Sequence, residues 1–424
     1  MLIEQRNSLR GEITLPGDKS ISQRAIMFGS LAKGTTEISG LSMSEDCLNT
    51  IDCFRRMQVG IQILSDSRVK ISGRGLYGLK ASPVMLNAGR SGTTIRLLLG
   101  SLVGQRFPSS ITRDVSSAKK NMSMVLNPLR QMGAIISGKG DGNICPLNIM
   151  PSKLHGITYE LSRFETFIKS PILIAGLYSD DRTSVVEAVK SRDHSELMLN
   201  YFGANIKVDG LRVSSRKTGE LYGQHIQIPG DISIAAYFIT AGLIVPNSDI
   251  TIRNVGVNPT RTGILDVYKS MGAKIELLNK RTVNNEEVSD VTVASSRLKA
   301  AVIEGSLIPR LIDEIPVIAI AACMAEGTTV IKDLKGFKIK DSGRIKCLIA
   351  ELCKMGAVTY ETEDGMVIEG GKPLKGTVTD GYNDAAIAMS MAVAGLVADG
   401  ETMVRKTQIL EVAYPDFQST LNSL

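Results

Sequence analysis

A chain of 424 residues with 43% apolar side chains is long enough for two or more domains with real cores, which excludes a disordered or fibrous class. A formal net charge of +6 spread along the chain, no tryptophan and few other aromatics argue against a nucleic-acid partner and suit a small anionic substrate better. Six cysteines without a C-x-x-C pair, and only three histidines (His155, His194 and His225), argue against a zinc site or a disulfide framework.

The chain begins "MLIEQRNSLRGE", which lacks the apolar run of a signal peptide. A strand is expected over Glu12–Leu15, ended by Pro16 and Gly17. Asp18 then caps a helix whose apolar face is Ile21, Ala25, Phe28 and Leu31. Lys19 falls at the helix start, and Ser20 and Arg24 share one face four residues apart. A helix start offers free N–H groups and the positive end of a dipole, so two cations and a hydroxyl there suit a phosphate. A capped helix with a solvated basic face is the other reading.

From here one pattern recurs: an apolar helix, a short turn, then a β-branched run. It reads "AIMFGSLAKGTTEIS", "LLLGSLVGQRFPSSIT", "ILIAGLYSDDRTSVVE", "YFITAGLIVPNSDITI", "IAIAACMAEGTTVIKD" and "AMSMAVAGLVADGETMV", at intervals of roughly 67 to 79 residues. A second helix followed by a strand falls between them, as in "LRQMGAII", "LNYFGANIKV", "YKSMGAKIEL" and "LCKMGAVTY". The sixth such helix, "PDFQSTLNSL", has no strand after it, and "SLRGEITL" near the N-terminus is the expected replacement. Six units divide as three plus three, with crossings near Pro16 and near Ile228–Asp231. The expected domains are 16–229, and 1–15 with 230–424. Two lobes joined by two strands leave a cleft as the expected ligand site. The longest apolar stretches, "IPVIAIAACMA" and "AAIAMSMAVAGLVA", fall short of a membrane span, so a soluble cytoplasmic protein is expected.

No G-x-x-x-x-G-K-[ST] or G-x-G-x-x-G occurs, and "SGKGDG" sits between two strand-like runs as a hairpin turn, so no nucleotide cofactor is expected. "NAGRSGTTIRLLLG" starts a helix at Gly92, with Thr93, Thr94 and Arg96 in its first turn, a second candidate anion site; a Gly-rich turn with a polar cap is the plainer reading. Asp313 and Glu314 precede Pro316, a favoured first helical residue. A carboxylate there stays ionised and accepts a proton from a neighbouring alcohol, or serves only as an acidic cap. Lys340 and Arg344 lie four apart with Asp341 between them, as an anion-binding face with an acid beside it or as a surface ion-pair cluster.

"LPGDKSISQRA", "SGTTIRLL", "SRDHSE", "PGDIS", "AAYF", "NPTRTGILDV", "DEIPV", "AIAA" and the late "PDF" together resemble, in order and spacing, the enolpyruvyl transferases. The match is to the branch that uses 3-phosphoshikimate and phosphoenolpyruvate. The sugar-nucleotide branch carries Lys-Asn where this chain has Lys19 and Ser20. The resemblance spans nearly the whole chain. It implies an α/β protein with the two-domain inside-out α/β barrel of that family, each domain made of three βαβαββ repeats, closing over both substrates. The reaction it implies is transfer of the carboxyvinyl group to the 5-hydroxyl of 3-phosphoshikimate, without metal or cofactor, by a monomer with small molecules as its only partners. Two alternatives stay open: a relative that binds a phosphorylated shikimate-like ring and does different chemistry such as an elimination, and a non-catalytic binding protein.

By the same resemblance, Lys19, Ser20 and Arg24 bind the ring substrate, Lys19 touching both substrates; Thr166 and Ser191 contact its phosphate; and Lys340 is a further contact. Asp313 is the base for the 5-hydroxyl, and Asp341, shortened by one methylene from the family's Glu, is a proton-transfer residue. Gly92, Lys120 and Arg344 face phosphoenolpyruvate, Lys120 standing for an Arg and so replacing a bidentate fork with a point charge. Several positions depart from the family: Ala385 and Ala386 replace His and a donor-binding Arg, and Val412 a donor-binding Lys. Glu165 replaces a phosphate-contacting Ser, Phe167 a Gln that touches both substrates, and Arg90 an Asn. The departures gather on the phosphoenolpyruvate side, which implies that the ring substrate binds more normally than the donor.

Overall fold

The computed structural model describes residues 1–337 and 343–424. Two compact units result: an N-terminal unit of Gly17–Ile228 with Val283–Glu286, and a C-terminal unit of Met1–Pro16, Pro229–Thr282 and Glu287–Leu424.

In the N-terminal unit the helices α1 (Lys19–Leu31), α2 (Gly92–Leu102) and α3 (Lys169–Gly176) are largely buried, α1 together with polar side chains such as Ser22, Gln23 and Arg24. α2 and α3 approach closely because Gly100 has no side chain: a Cβ there would meet the carbonyl oxygen of Pro171 at 2.6 Å. Each repeat is helix, strand, helix and hairpin. Leu86–Asn87 pairs parallel with Ser109–Thr112 across α2, and the hairpin Ile135–Gly138 and Ile144–Met150 continues the sheet antiparallel. The sheet of Thr158–Leu161, Thr183–Glu187, Arg212–Ser215 and Ile206–Asp209 repeats this order. In the remaining sheet the parallel partner of Lys33–Ser39 is His225–Gln227, so the last strand of the unit completes its first repeat.

The C-terminal unit uses the same plan on α4 (Ile232–Ile244), α5 (Ile315–Met324) and α6 (Ala385–Gly395), which pack on one another in one core. Its first sheet takes Arg10–Thr14 as the parallel partner of Asp249–Gly256. The second runs Val302–Ile303, Thr328–Ile331, Met366–Glu369, Val358–Glu361. Here one expectation is corrected. The run "SLRGEITL" does not complete the sixth repeat; Leu2–Ile3 does, antiparallel to Thr402–Arg405, in a sheet of three strands among the described residues. The last helix, Phe417–Asn422, ends two residues before the end of the sequence, and Arg10–Thr14 is already paired with the fourth repeat. That helix is anchored by Phe417, whose ring centroid lies 5.7 Å from that of Phe238. The "PDF" motif thus has a packing role of its own.

Candidate functional site

In the N-terminal unit the start of α1 forms as its sequence demands. The Asp18 carboxylate accepts from the Ile21 N–H at 2.8 Å and caps the helix. Lys19 is half-exposed, with its Nζ 3.0 Å from Asp46. Arg24, one turn on, points inward and is 9% exposed. Its Nη1 donates to the Ser20 carbonyl at 2.9 Å, its Nε to Ser195 Oγ at 2.7 Å and its Nη2 to Ser170 Oγ at 3.3 Å. Among the described residues no carboxylate lies within 4.0 Å of it. Burial is the main force on this guanidinium and lowers its pKa to about 10; the more distant charges of Glu196, Asp18 and Glu286 oppose the shift. A buried cation held by hydroxyls and a carbonyl, all neutral, keeps a charge that an anion could meet.

Ser195 Oγ accepts from Arg24, so its own proton goes to Ser170 Oγ at 2.8 Å. Ser170 then accepts from both, and its O–H remains to donate to a ligand beside the guanidinium. Ser191 behaves differently. Its N–H and O–H both donate to the Glu187 carboxylate, which also takes Lys169, so this hydroxyl must turn before it can donate to a phosphate. Lys169 is 1% exposed and lies 2.6 Å from Glu196 and 3.1 Å from Glu187. Burial works against its ammonium, but the two carboxylates outweigh burial and raise its pKa. Burial also pushes Glu196 up. Beyond it, His194 Nδ1 and Glu286 Oε1 lie 2.7 Å apart, both buried.

Thr166 begins the short turn Thr166–Ile168 at the entry to α3 and is partly exposed. Glu165 folds back locally, its carboxylate accepting from the N–H and O–H of Ser162 at 3.1 and 2.8 Å. Phe167 is 38% exposed, its ring 4.9 Å from the Arg96 guanidinium carbon. Gly92 opens α2 behind a Ser91 cap, and Gln23 ties that turn to α1 by donating to Ser91 and Thr94. Lys120 is exposed in the turn after the short helix Val115–Ala118.

In the C-terminal unit Asp313 is exposed just before α5. The N-cap residue Glu314 makes no side-chain cap, and Pro316 is the second helical residue. The buried Glu314 instead accepts from Ser233, which in turn accepts from Arg261 Nη2 at 2.6 Å. Arg344 opens the helix Arg344–Lys354, its Nε 2.7 Å from Asp384 Oδ2. The other oxygen of Asp384 caps α6, accepting from Ala386 N at 2.9 Å. Ala385 and Ala386 are therefore the first residues of a capped helix that begins with no cation, while Val412 is 41% exposed in the short helix Leu410–Ala413. Lys340 and Asp341 lie outside the described residues.

The structure thus brings Lys19, Ser20 and Arg24 together, and Arg344 with Asp384. It adds Ser170, Ser195 and Arg113, which sequence reasoning did not assign, to the Arg96 that the sequence already placed in the first turn of α2. A lysine opening the otherwise apolar run "KSPILIAG" was the available signal for the buried network at Lys169. Nothing in the sequence flagged Arg113.

A repeated α/β fold with cations and hydroxyls gathered at helix starts has the chemistry of a class of proteins that bind small anions. The family model described as EPSP synthase (3-phosphoshikimate 1-carboxyvinyltransferase) matches residues 3–421, and the chain belongs to that family. It is 51% identical over 422 residues to the 3-phosphoshikimate 1-carboxyvinyltransferase of Thermoanaerobacter sp. (strain X514), covering 100% of this chain and 99% of that one. It is 47% identical over 419 residues to that of Brevibacillus brevis, covering 99% and 98%. Among solved structures, the EPSP synthase of Acinetobacter baumannii superposes with a TM-score of 0.92 at 39% identity, over 99% of this chain and 97% of that one.

Proposed function

We propose that this chain transfers the carboxyvinyl group of phosphoenolpyruvate to the 5-hydroxyl of 3-phosphoshikimate, giving the enolpyruvyl ether and inorganic phosphate. The observation that carries the reading is the Arg24 seat: a buried guanidinium with neutral hydrogen-bond partners and a free Ser170 proton beside it, made for a phosphate. Lys19, Ser20, Arg24, Thr166 and, after rotation, Ser191 take the phosphorylated ring, with Lys340. Gly92, Lys120 and Arg344 serve the donor.

The chemistry needs no redox partner. Asp313 takes the proton of the 5-hydroxyl as its oxygen attacks C2 of phosphoenolpyruvate, while Asp341 or Lys19 gives a proton to C3. The tetrahedral intermediate then loses a C3 proton, the C2–C3 double bond reforms, and the C–O bond to phosphate breaks. Cations around the leaving phosphate lower that barrier by meeting the developing charge. The reading carries with it a monomer in the cytoplasm. Separately, no described helix is long and apolar enough to cross a membrane.

One observation favours a second reading, an enzyme that keeps the ring substrate and performs another reaction such as an elimination: Ala385, Ala386 and Val412 leave α6 and the Leu410–Ala413 helix without cations for the donor. Phosphate release decides between them. The first reading requires both substrates for release, whereas an elimination requires the ring substrate alone.

A further inference from the structure

One group of cations in the N-terminal unit is absorbed neither by the roles assigned above nor by ion pairs. Arg96 lies one turn into α2, its guanidinium stacked on Phe167 and folded back over the helix start, where a Cβ on Gly92 would meet its Nη1 at 2.9 Å. Arg113 follows the strand Ser109–Thr112 and reaches the same turn. Its Nη2 donates to the Arg90 carbonyl at 3.0 Å, two residues before Gly92, and its Nε is buried without a partner. Among the described residues neither guanidinium has a carboxylate within 4.0 Å. The acids around Arg113 are already engaged: Asp46 with Lys19 at 3.0 Å, and Asp114 with the Asn87 amide at 3.3 Å. Burial first, and then the charge of Arg113, bring the Arg96 pKa down to about 10. Asp46 and Asp114 act on Arg113 only from a distance, so two guanidinium groups at a helix start with no carboxylate within 4.0 Å hold a positive potential that an anion in direct contact would relieve.

We propose that Arg113, backed by Arg96, binds the anionic end of the enolpyruvyl donor at the Gly92 turn. The inference rests on the proposed carboxyvinyl transfer for the identity of the donor, and on the geometry alone for the presence of an anion seat. It also accounts for a charge balance. Ala386 and Val412 remove two cations from the C-terminal unit, whereas the turn at Gly92 carries Arg90, Arg96 and Arg113. A planar, forked guanidinium suits a carboxylate or a phosphate equally, so either end of phosphoenolpyruvate fits the chemistry.

The test compares wild type with Arg113→Ala and Arg113→Lys in two measurements. Steady-state phosphate release gives KM for each substrate, and calorimetry gives the affinity for phosphoenolpyruvate in the presence of 3-phosphoshikimate. Arg113→Ala is expected to raise KM and Kd for phosphoenolpyruvate about tenfold or more, the loss of one charge-assisted contact. Its affinity for 3-phosphoshikimate, which also reports an intact fold, should stay within about twofold. Arg113→Lys, which keeps the charge and loses the fork, should fall between. Unchanged phosphoenolpyruvate binding in Arg113→Ala, or equal weakening of both ligands, overturns the proposal and leaves the transferase reading standing. Wild type that binds phosphoenolpyruvate through Arg113 without turning it over overturns the transferase reading and leaves the seat. Wild type that does not bind phosphoenolpyruvate overturns the seat.

Discussion

Single side chains here do work that their type alone does not announce. Arg24 reads from the sequence as a cation on a helix face, and its burial among neutral partners is what makes it the proposed anion seat: in water it would be one more solvated charge. Truncation to Ala removes a charge-assisted contact worth about 1.5 to 3 kcal/mol, so calorimetry should show 3-phosphoshikimate binding weakened roughly 10- to 150-fold. The same variant should bind phosphoenolpyruvate with little change. Phe167 makes the opposite case. Its ring covers one face of Arg96 and offers no hydrogen bond, so Phe167→Gln should tighten phosphoenolpyruvate binding by about 2- to 10-fold, the range of one neutral hydrogen bond. An unchanged or weaker affinity in that variant would show that the aromatic ring itself belongs to the site. Glu165 was read as standing in a phosphate-contact position; its carboxylate instead closes a turn on Ser162, a choice set by local geometry that residue type could not reveal.

Among the elements, those with strong internal signals were legible and those completed from a distance were not. The α1 cap at Asp18, the buried faces of the apolar helices and the helix start at Gly92 follow from residue order. The pairing of Leu2–Ile3 with Thr402–Arg405 does not, because two residues carry no periodicity and their partner lies some 400 positions away. The cap supports a simple expectation: Asp18→Ala should lower stability to urea by about 1 kcal/mol and weaken binding at Lys19 and Ser20, which that cap positions. The strand Glu286–Ala294 supplies a pH-dependent one. Burial alone would raise the pKa of Asp290, but hydrogen bonds from the Asn254 N–H at 2.8 Å and from Asn279 and Arg253, each at 2.9 Å, outweigh it and hold the carboxyl at about 2. A carboxylate with a depressed folded-state pKa contributes stability above its unfolded value near 4 and loses it as pH falls toward 2. Wild type should therefore exceed Asp290→Asn by about 2 kcal/mol at pH 6, and the difference should shrink to near zero at pH 2 in urea titrations. A difference that does not change with pH would remove the ionic account of Asp290.

Across the whole molecule, six copies of one α/β unit were readable from the recurring helix–turn–strand pattern, because each copy carries its own apolar helix and its own turn residues. The grouping of Lys19, Ser20 and Arg24 was readable for a related reason: they lie within one helical turn and a half, so sequence spacing fixes their relation. On the proposed donor side, only the Gly92 turn and Arg96 were readable. Arg96, Arg113 and Phe167 come from segments about 15 to 70 residues apart; α2 meeting the turn before α3 brings Phe167 to Arg96, and the end of the strand Ser109–Thr112 brings Arg113 to the Arg90 carbonyl. Full-length similarity at 51% identity is compatible with a preserved reaction whose donor contacts have been rearranged. The most direct test is steady-state phosphate release by the wild-type protein with 3-phosphoshikimate and phosphoenolpyruvate varied independently. The account predicts release only when both are present, with KM for phosphoenolpyruvate at least about tenfold above that for 3-phosphoshikimate, the size of one lost charge-assisted contact. No release with both substrates present, or release from 3-phosphoshikimate alone, would contradict it.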